Sequence, residues 1–226
     1  MVAQHLREVR ERIERAAARS GRDPAHIRLL AVTKTRPRSA VDEAVAAGIR
    51  LFGENRVQEA DRKYTSTDDV ELHLIGHLQR NKAKLVPDLF SWVESIDAYA
   101  TAQALSRRCD DAGRECSILL QLNSSGEQSK SGYADPQELL DEAARIAGLP
   151  ALALRGVMTI GPFTDDTAAI ARAFATTREV YEQLRRALPS AAIDTLSMGM
   201  SDDFEIAIAE GSTEIRVGSV LFGARS

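Results

Sequence analysis

Short apolar runs alternate along this chain with longer stretches in which apolar residues return every three or four positions. The runs fall at 27–33, 49–52, 72–75, 92–96, 116–122, 152–157, 193–196 and 214–217. Their brevity and their Val, Ile and Leu content predict strands covered on both faces. The intervening segments 39–47, 57–63, 78–86, 98–112, 136–147, 167–188 and 204–210 have helical spacing. Ahead of them all, Leu6, Val9 and Ile13 mark one more helix that stops at Ser20-Gly21. Strict strand–helix alternation predicts a parallel sheet. Eight units of about 28 residues predict a single (β/α)8 barrel domain over residues 1–226, with an extra N-terminal helix. The apolar stripe of that helix is expected to cover the bottom or side of the barrel. An open doubly wound sheet would want a Gly-x-Gly-x-x-Gly turn after its first strand. Here the first strand runs into Lys34-Thr-Arg-Pro37, which contains no glycine.

Composition narrows the function classes. The net charge of −4 gives no general attraction to nucleic acid or anionic membrane. No apolar run approaches the ~20 residues needed to span a bilayer, and the charged, helical N-terminus is unlike a signal peptide. The two cysteines, Cys109 and Cys116, are too few for a disulfide framework or a zinc site. A cytoplasmic protein without nucleic-acid or membrane partners is expected.

In such a barrel the chemistry sits at the C-terminal ends of the strands, so the residues collected there matter most. Lys34 follows the first strand in a chain with only five lysines among 29 basic residues. A desolvated amine at a barrel mouth is a nucleophile toward carbonyls, although a lysine snorkelling to the rim is the plainer reading. After the seventh and eighth strands come Ser197-Met-Gly-Met-Ser-Asp-Asp203 and Gly218-Ser219. Backbone amides near Met200, Ser201 and Gly218, with the Ser197 and Ser201 hydroxyls, would suit a phosphate dianion. Ser201 or Asp202 would cap a helix beginning near Asp203. Arg216, in the eighth strand, would keep a heterocyclic nitrogen unprotonated, or else pair with Glu210 or Glu214. Amine, phosphate cradle and arginine together suggest pyridoxal 5′-phosphate bound as a Schiff base to Lys34. A phosphorylated sugar, with Lys34 as an aldolase-type amine, is the competing reading.

Other candidates are weaker. His73 and His77 lie on a strand and its turn, so no metal is assigned to them. Ser129-Lys-Ser-Gly132 is a loop that could meet an anion, and Arg80, Lys82 and Lys84 make a basic patch too small for nucleic acid.

Several longer blocks carry a family resemblance. Leu29-Leu-Ala-Val-Thr-Lys-Thr-Arg-Pro37, Leu51-Phe-Gly-Glu-Asn-Arg-Val-Gln-Glu59 and His73-Leu-Ile-Gly-His-Leu-Gln-Arg-Asn-Lys82 are three of them. Ser129–Gly132, Gly156-Val-Met-Thr-Ile-Gly161, Leu196-Ser-Met-Gly-Met-Ser-Asp-Asp203 and Gly211-Ser-Thr-Glu-Ile-Arg-Val-Gly-Ser219 are the rest. In this order, from about residue 5 to Arg225, the chain resembles the pyridoxal phosphate homeostasis protein family. The resemblance implies a barrel like the N-terminal domain of alanine racemase, with pyridoxal phosphate on Lys34 and Asn55 beside it. It assigns Ser197, Met200, Ser201 and Gly218 to the phosphate and Arg216 to the pyridine nitrogen. Departures are slight: Thr33 stands where serine is frequent, and Gln128 falls near a variable loop position.

The resemblance also implies a role in vitamin B6 and amino-acid/2-oxo-acid balance rather than turnover. Racemisation needs acid/base groups on both faces of a carbanion. In the racemases the second is a tyrosine shared with a β-rich domain, and no such domain is expected after Gly223. The tyrosines at 64, 99, 133 and 181 are all predicted on helices or loops. The expectation is therefore a monomeric carrier that hands cofactor to apo-enzymes, with a low-activity amino-acid racemase as the alternative.

Overall fold

Parallel strands bury both faces when helices cover one side and the barrel closes over the other. The computed structural model, which describes residues 1–65, 69–127 and 130–223, has this arrangement; Gln128, Ser129 and Arg225 lie outside the described residues. The strands are Arg28–Val32 (β1), Leu51–Glu54 (β2), Glu71–Leu74 (β3), Trp92–Ile96 (β4), Cys116–Leu122 (β5), Leu152–Thr159 (β6), Thr195–Ser197 (β7) and Glu214–Val217 (β8). Each pairs in parallel with the next, and β8 returns to β1 with Ile215 beside Leu29, closing the barrel. The helices are Val2–Arg19 (α1), Arg38–Ala46 (α2), Val57–Lys63 (α3), Tyr99–Asp111 (α4), Pro136–Ala147 (α5), Thr167–Ala187 (α6), Phe204–Ala209 (α7) and Ser219–Phe222 (α8). The (β/α)8 barrel predicted from the alternation is thus present.

One unit differs from the expectation. Between β3 and β4 the predicted helix over 78–86 is a 3₁₀ segment, Arg80–Leu85. Ala83 and Val86, three apart, are both buried, and a 3₁₀ turn stacks side chains at that spacing. Pro87 then cannot extend the ladder.

Alternation along each strand sorts the side chains between two cores. Leu72 and Leu74 of β3, Ile118, Leu120 and Leu122 of β5, and Ile215 and Val217 of β8 belong to the large core beneath the helices. The opposite parity points into the barrel. There Trp92, Leu119 and Met158 form a separate small apolar cluster, and the same parity also carries Glu71, His73, Glu94, Ser197, Glu214 and Arg216. Most barrel interiors are filled by branched aliphatic residues, so half of this one is chemically unusual.

Helix α1 lies along the side of the barrel against α7, α8 and α2. It buries Val2, Leu6, Val9, Ile13, Ala16 and Ala17. Polar contacts fix its orientation. The Arg12 Nε donates to Glu205 at 2.7 Å while its guanidinium lies 4.4 Å over the Phe204 ring, and the His5 ring bonds the Leu221 carbonyl at 2.8 Å. The helix therefore braces the two elements that follow β7 and β8. Truncating Leu6 to alanine should cost about 2–4 kcal/mol of unfolding free energy. Urea denaturation of Leu6→Ala measures it, and a loss within about 0.5 kcal/mol, as for a surface site, would show that the stripe supports nothing.

Candidate functional site

A cavity of about 270 Å³ opens at the C-terminal ends of the strands, lined by Lys34, Asn55, Met200, Ser201, Arg216 and Gly218 among others. Six of the seven residues singled out from sequence thus converge from β1, β2, β7 and β8. The seventh, Ser197, lies beneath the cavity and is fully buried.

Lys34 continues the inward parity of β1 two residues past Val32, which also lines the cavity. Its neighbours face the other way, into a buried polar cluster under α3. The Thr33 hydroxyl donates to Glu54 Oε1 at 2.7 Å and lies 2.7 Å from the Tyr64 hydroxyl. Lys63 Nζ donates to the Thr33 carbonyl at 2.7 Å, to Glu54 at 2.7 Å and to Glu59 at 2.9 Å. Glu59 also accepts the Thr35 amide at 2.5 Å. The backbone is consequently anchored on both sides of Lys34. That anchoring sustains a φ of +62° at Thr35, a conformation that a β-branched residue adopts only under constraint. Burial raises the Glu54 pKa against the pull of Lys63 and Thr33. For Glu59, burial is outweighed by Lys63 and the Thr35 amide, and its pKa falls. Sequence reasoning missed Glu54, Glu59 and Lys63. A signal was available: Lys63 is one of the five lysines and stands four residues after Glu59 on one helical face.

Asn55 sits against the turn after β3. A Cβ added at Gly76 would lie 2.2 Å from the Asn55 carbonyl oxygen, so only glycine lets that turn seat Asn55 in the wall.

The loops after β7 and β8 form the opposite wall. Gly199, at φ +95°, has no room for a Cβ, which would meet Ala207 at 2.5 Å; α7 packs directly on it. Two amides expected to await a ligand are engaged within the protein. Met200 N donates to Asp203 Oδ1 at 2.5 Å and Gly218 N to the Ser201 hydroxyl at 3.2 Å. Ser201 Oγ, as an acceptor there, keeps its own proton to donate. Asp203, not Ser201 or Asp202, is the N-cap of α7, and it turns back to Met200 instead of capping the helix. Burial raises its pKa, with the Met200 amide opposing.

Arg216 is 4% exposed and held from two strands. Its Nη1 donates to Ser197 Oγ at 2.7 Å and its Nη2 to the Thr159 carbonyl at 2.6 Å. Ser197 in turn donates to Glu94 at 2.6 Å. Parity points Ser197 inward, and its hydroxyl, expected at a ligand, is bonded to Arg216 and Glu94 beneath the cavity. Arg216 does not pair with Glu210 or Glu214; its nearest carboxylate is Glu94 at 3.9 Å.

The chain of bonds continues downward. Glu94 Oε1 meets His73 Nδ1 at 2.7 Å, His73 Nε2 meets Glu71 at 2.9 Å, and Glu71 accepts from Arg28 at 2.6 Å. Trp92 stacks on the His73 ring at 4.9 Å. Burial would lower the His73 pKa, but Glu214, Glu71 and Glu94 outweigh it and raise it to about 9. Glu71, bonded by His73 and paired with Arg28, falls to about 2. For Glu94, burial is outweighed by His73, Arg216 and Ser197, and its pKa is lowered. Glu214 has no hydrogen-bond partner on either oxygen; burial and the neighbouring Glu94 charge raise it to about 7. His73, Glu94 and Glu214 bring ligand-type atoms within 4.8 Å of one another, but both His73 nitrogens are already bonded to carboxylates.

The remaining candidates lie apart. His77 pairs with Asp97 at 2.9 Å, away from His73's partners. Lys130 Nζ is bound by Glu127 at 2.6 Å and the Gly161 carbonyl at 2.9 Å.

Comparison with known proteins agrees with the fold and with the residue blocks. The family model for the alanine racemase N-terminal domain matches residues 4–226. A protein of Pseudomonas aeruginosa named pyridoxal phosphate homeostasis protein is 47% identical, over 99% of this chain and 96% of its own. The structure of PipY from Synechococcus elongatus with pyridoxal phosphate bound superposes with a TM-score of 0.86 at 37% identity, covering 99% of this chain and all of that one. Alanine racemase of Clostridium difficile shares the fold, with a TM-score of 0.72 at 14% identity, and this chain spans 55% of its length.

The buried chain predicts a pH signature. A histidine raised to about 9 stabilises the fold fully below its ordinary 6.5, and that contribution is lost as pH rises to 9. Glu214, raised to about 7, acts in the same direction from 4.5 upward. Glu71, lowered to about 2, withdraws its contribution as pH falls below 4.5. Unfolding midpoints in urea should decline between pH 6.5 and 9, and His73→Gln should flatten that decline; an equal slope in both proteins would disprove the assignment.

Proposed function

The chain belongs to the pyridoxal phosphate homeostasis protein family, and on that premise we propose that it carries pyridoxal 5′-phosphate as a Schiff base on Lys34. The observation that carries this reading is the convergence of Lys34, Asn55, Ser201, Arg216 and Gly218 on one cavity. The donor set fits the ligand. An anchored amine suits the aldehyde, hydroxyl and backbone donors from two loops suit the phosphate, and a fixed guanidinium suits the ring nitrogen. A cavity of about 270 Å³ accommodates one small aromatic ligand. The cofactor would supply an aldehyde, and Lys34 is the amine that would hold it. Asn55 would border the ring, and Ser201, Gly218 and Met200 would hold the phosphate end. For the Met200 amide this requires Asp203 to release it.

Two features support carriage rather than turnover. Arg216 cannot give up its proton in practice, so it keeps the ring nitrogen unprotonated and the ring a weak electron sink. Among the described residues lining the cavity there is no tyrosine or histidine to act opposite Lys34; the ionisable ones besides Lys34 are Arg36, Asp202 and Arg216. Tyr133 and Tyr181 are turned to Glu142 and the Ile193 carbonyl. The protein then buffers the free aldehyde and supplies it to apo-enzymes, linking it to vitamin B6 and amino-acid/2-oxo-acid balance. Its two cysteines are free thiols, as suits the cytoplasm, and we take the working unit to be a monomer.

Purified protein mixed with pyridoxal phosphate should show a Schiff-base absorption band that borohydride fixes covalently to Lys34, and Lys34→Ala should lack both. Amino-acid racemisation should be undetectable. Steady turnover abolished by Lys34→Ala would establish the racemase alternative instead.

A further inference from the structure

The interior of the barrel holds a cluster that ligand carriage by itself does not call for. Glu94, 0% exposed, lies at the centre of the chain Glu71–His73–Glu94–Ser197–Arg216. Resting on the reading of the cavity given above, the geometry points to Glu94 as the positioning residue of Arg216, acting through the Ser197 hydroxyl, with His73 as its counter-charge. This assigns to Glu94, Ser197 and His73 a role in cofactor recognition although none of them lines the cavity.

Three observations support it. First, an arginine side chain has several freely rotating bonds, and ordering it on ligand arrival costs entropy. Here two strands hold it beforehand, through Ser197 Oγ at 2.7 Å and the Thr159 carbonyl at 2.6 Å. Preorganisation of this kind raises affinity by removing that cost. Second, the Ser197 hydroxyl accepts from Arg216 while its own proton goes to Glu94 at 2.6 Å, so the carboxylate sets the orientation of the hydroxyl that holds the guanidinium. Without a carboxylate at position 94, nothing fixes that direction. Third, a fully buried carboxylate is stable only with charges around it. Glu94 has the His73 ring at 2.7 Å and the Arg216 guanidinium at 3.9 Å, so the histidine frees Arg216 from being its sole counter-ion. The arginine's remaining N–H groups are then left for the cavity side.

The charged groups facing Glu94 are His73 of β3 and Glu214 and Arg216 of β8, with Arg28 of β1 acting through Glu71. A change at position 94 is transmitted to the cavity through Ser197 and Arg216. Ser197→Ala breaks the bridge while leaving both charges, and it removes a single buried oxygen. Glu94→Gln keeps the shape and removes the charge.

The test is a pyridoxal phosphate titration of the full chain followed by absorbance, at several pH values, for wild type, Ser197→Ala, Glu94→Gln and Arg216→Gln. Circular dichroism and urea unfolding of each unliganded protein serve as folding controls. Ser197→Ala should remain folded, keep borohydride-trapped attachment to Lys34, weaken binding about tenfold and displace the band or its pH midpoint toward that of Arg216→Gln. Glu94→Gln should do the same, and the double variant should be no worse than either single one. If Ser197→Ala binds with wild-type affinity and an unchanged band and pH profile, the positioning role is overturned while Lys34 attachment stands. If the wild type itself forms no band, it is the reading of the cavity that fails, not this inference alone. Should Glu94→Gln fail to fold, Ser197→Ala decides the matter.

Discussion

A carboxylate withdrawn from water inside a closed parallel barrel must find its counter-charges on other strands, and Glu94 sets that condition for the whole interior. It stands on β4 and is answered by His73 from β3, Ser197 from β7 and Arg216 from β8. None of these strands is adjacent to all the others, so the network exists only when the barrel is closed. Closure and the placement of Arg216 are in this sense one event. The other half of the interior, Trp92, Leu119 and Met158, has no such requirement and packs as an ordinary apolar core.

The cavity is consequently prepared from two independent sides. At one end Lys34 is fixed through its backbone, by Lys63, Glu54 and Glu59 on the outer face of β1 and β2. At the other, Arg216 is fixed through its side chain, by groups in the interior. Between them, Gly76 and Gly199 permit the close backbone contacts that bring Asn55 and the loop after β7 into the wall. A small cavity with the backbone at Lys34 and the Arg216 guanidinium both restrained is suited to holding one ligand in one orientation.

Much of this was legible from the chain of letters. The outward-facing residues Ile118, Leu120 and Leu122, or Ile215 and Val217, make β5 and β8 readable to the residue, because burial beneath helices demands apolar side chains. The loops at strand ends were legible for the same topological reason. What was not legible is direction. Ser197 is a hydroxyl at a strand end, and sequence cannot say that Arg216 lies over it. The segment 78–86 has helical spacing too short to distinguish an α from a 3₁₀ turn. The alternating pairs Glu71-x-His73, Trp92-x-Glu94 and Glu214-x-Arg216 do carry a period of two. Reading those strands as uniformly apolar hid the polar line down the barrel. Lys63 was hidden differently: its surroundings depend on Thr33, thirty positions away in sequence.

Barrels of this type are usually thought of as having a chemical end and a structural end that vary independently of one another. Here Arg28 and Glu71, at the start of β1 and β3, are joined by an unbroken line of bonds to the arginine in the cavity wall. The two ends are therefore not separable modules. A charge gained or lost on the underside of the molecule must be reconciled with the same interior that holds Arg216, and the routes by which this sequence can drift are narrower than its fold alone would allow.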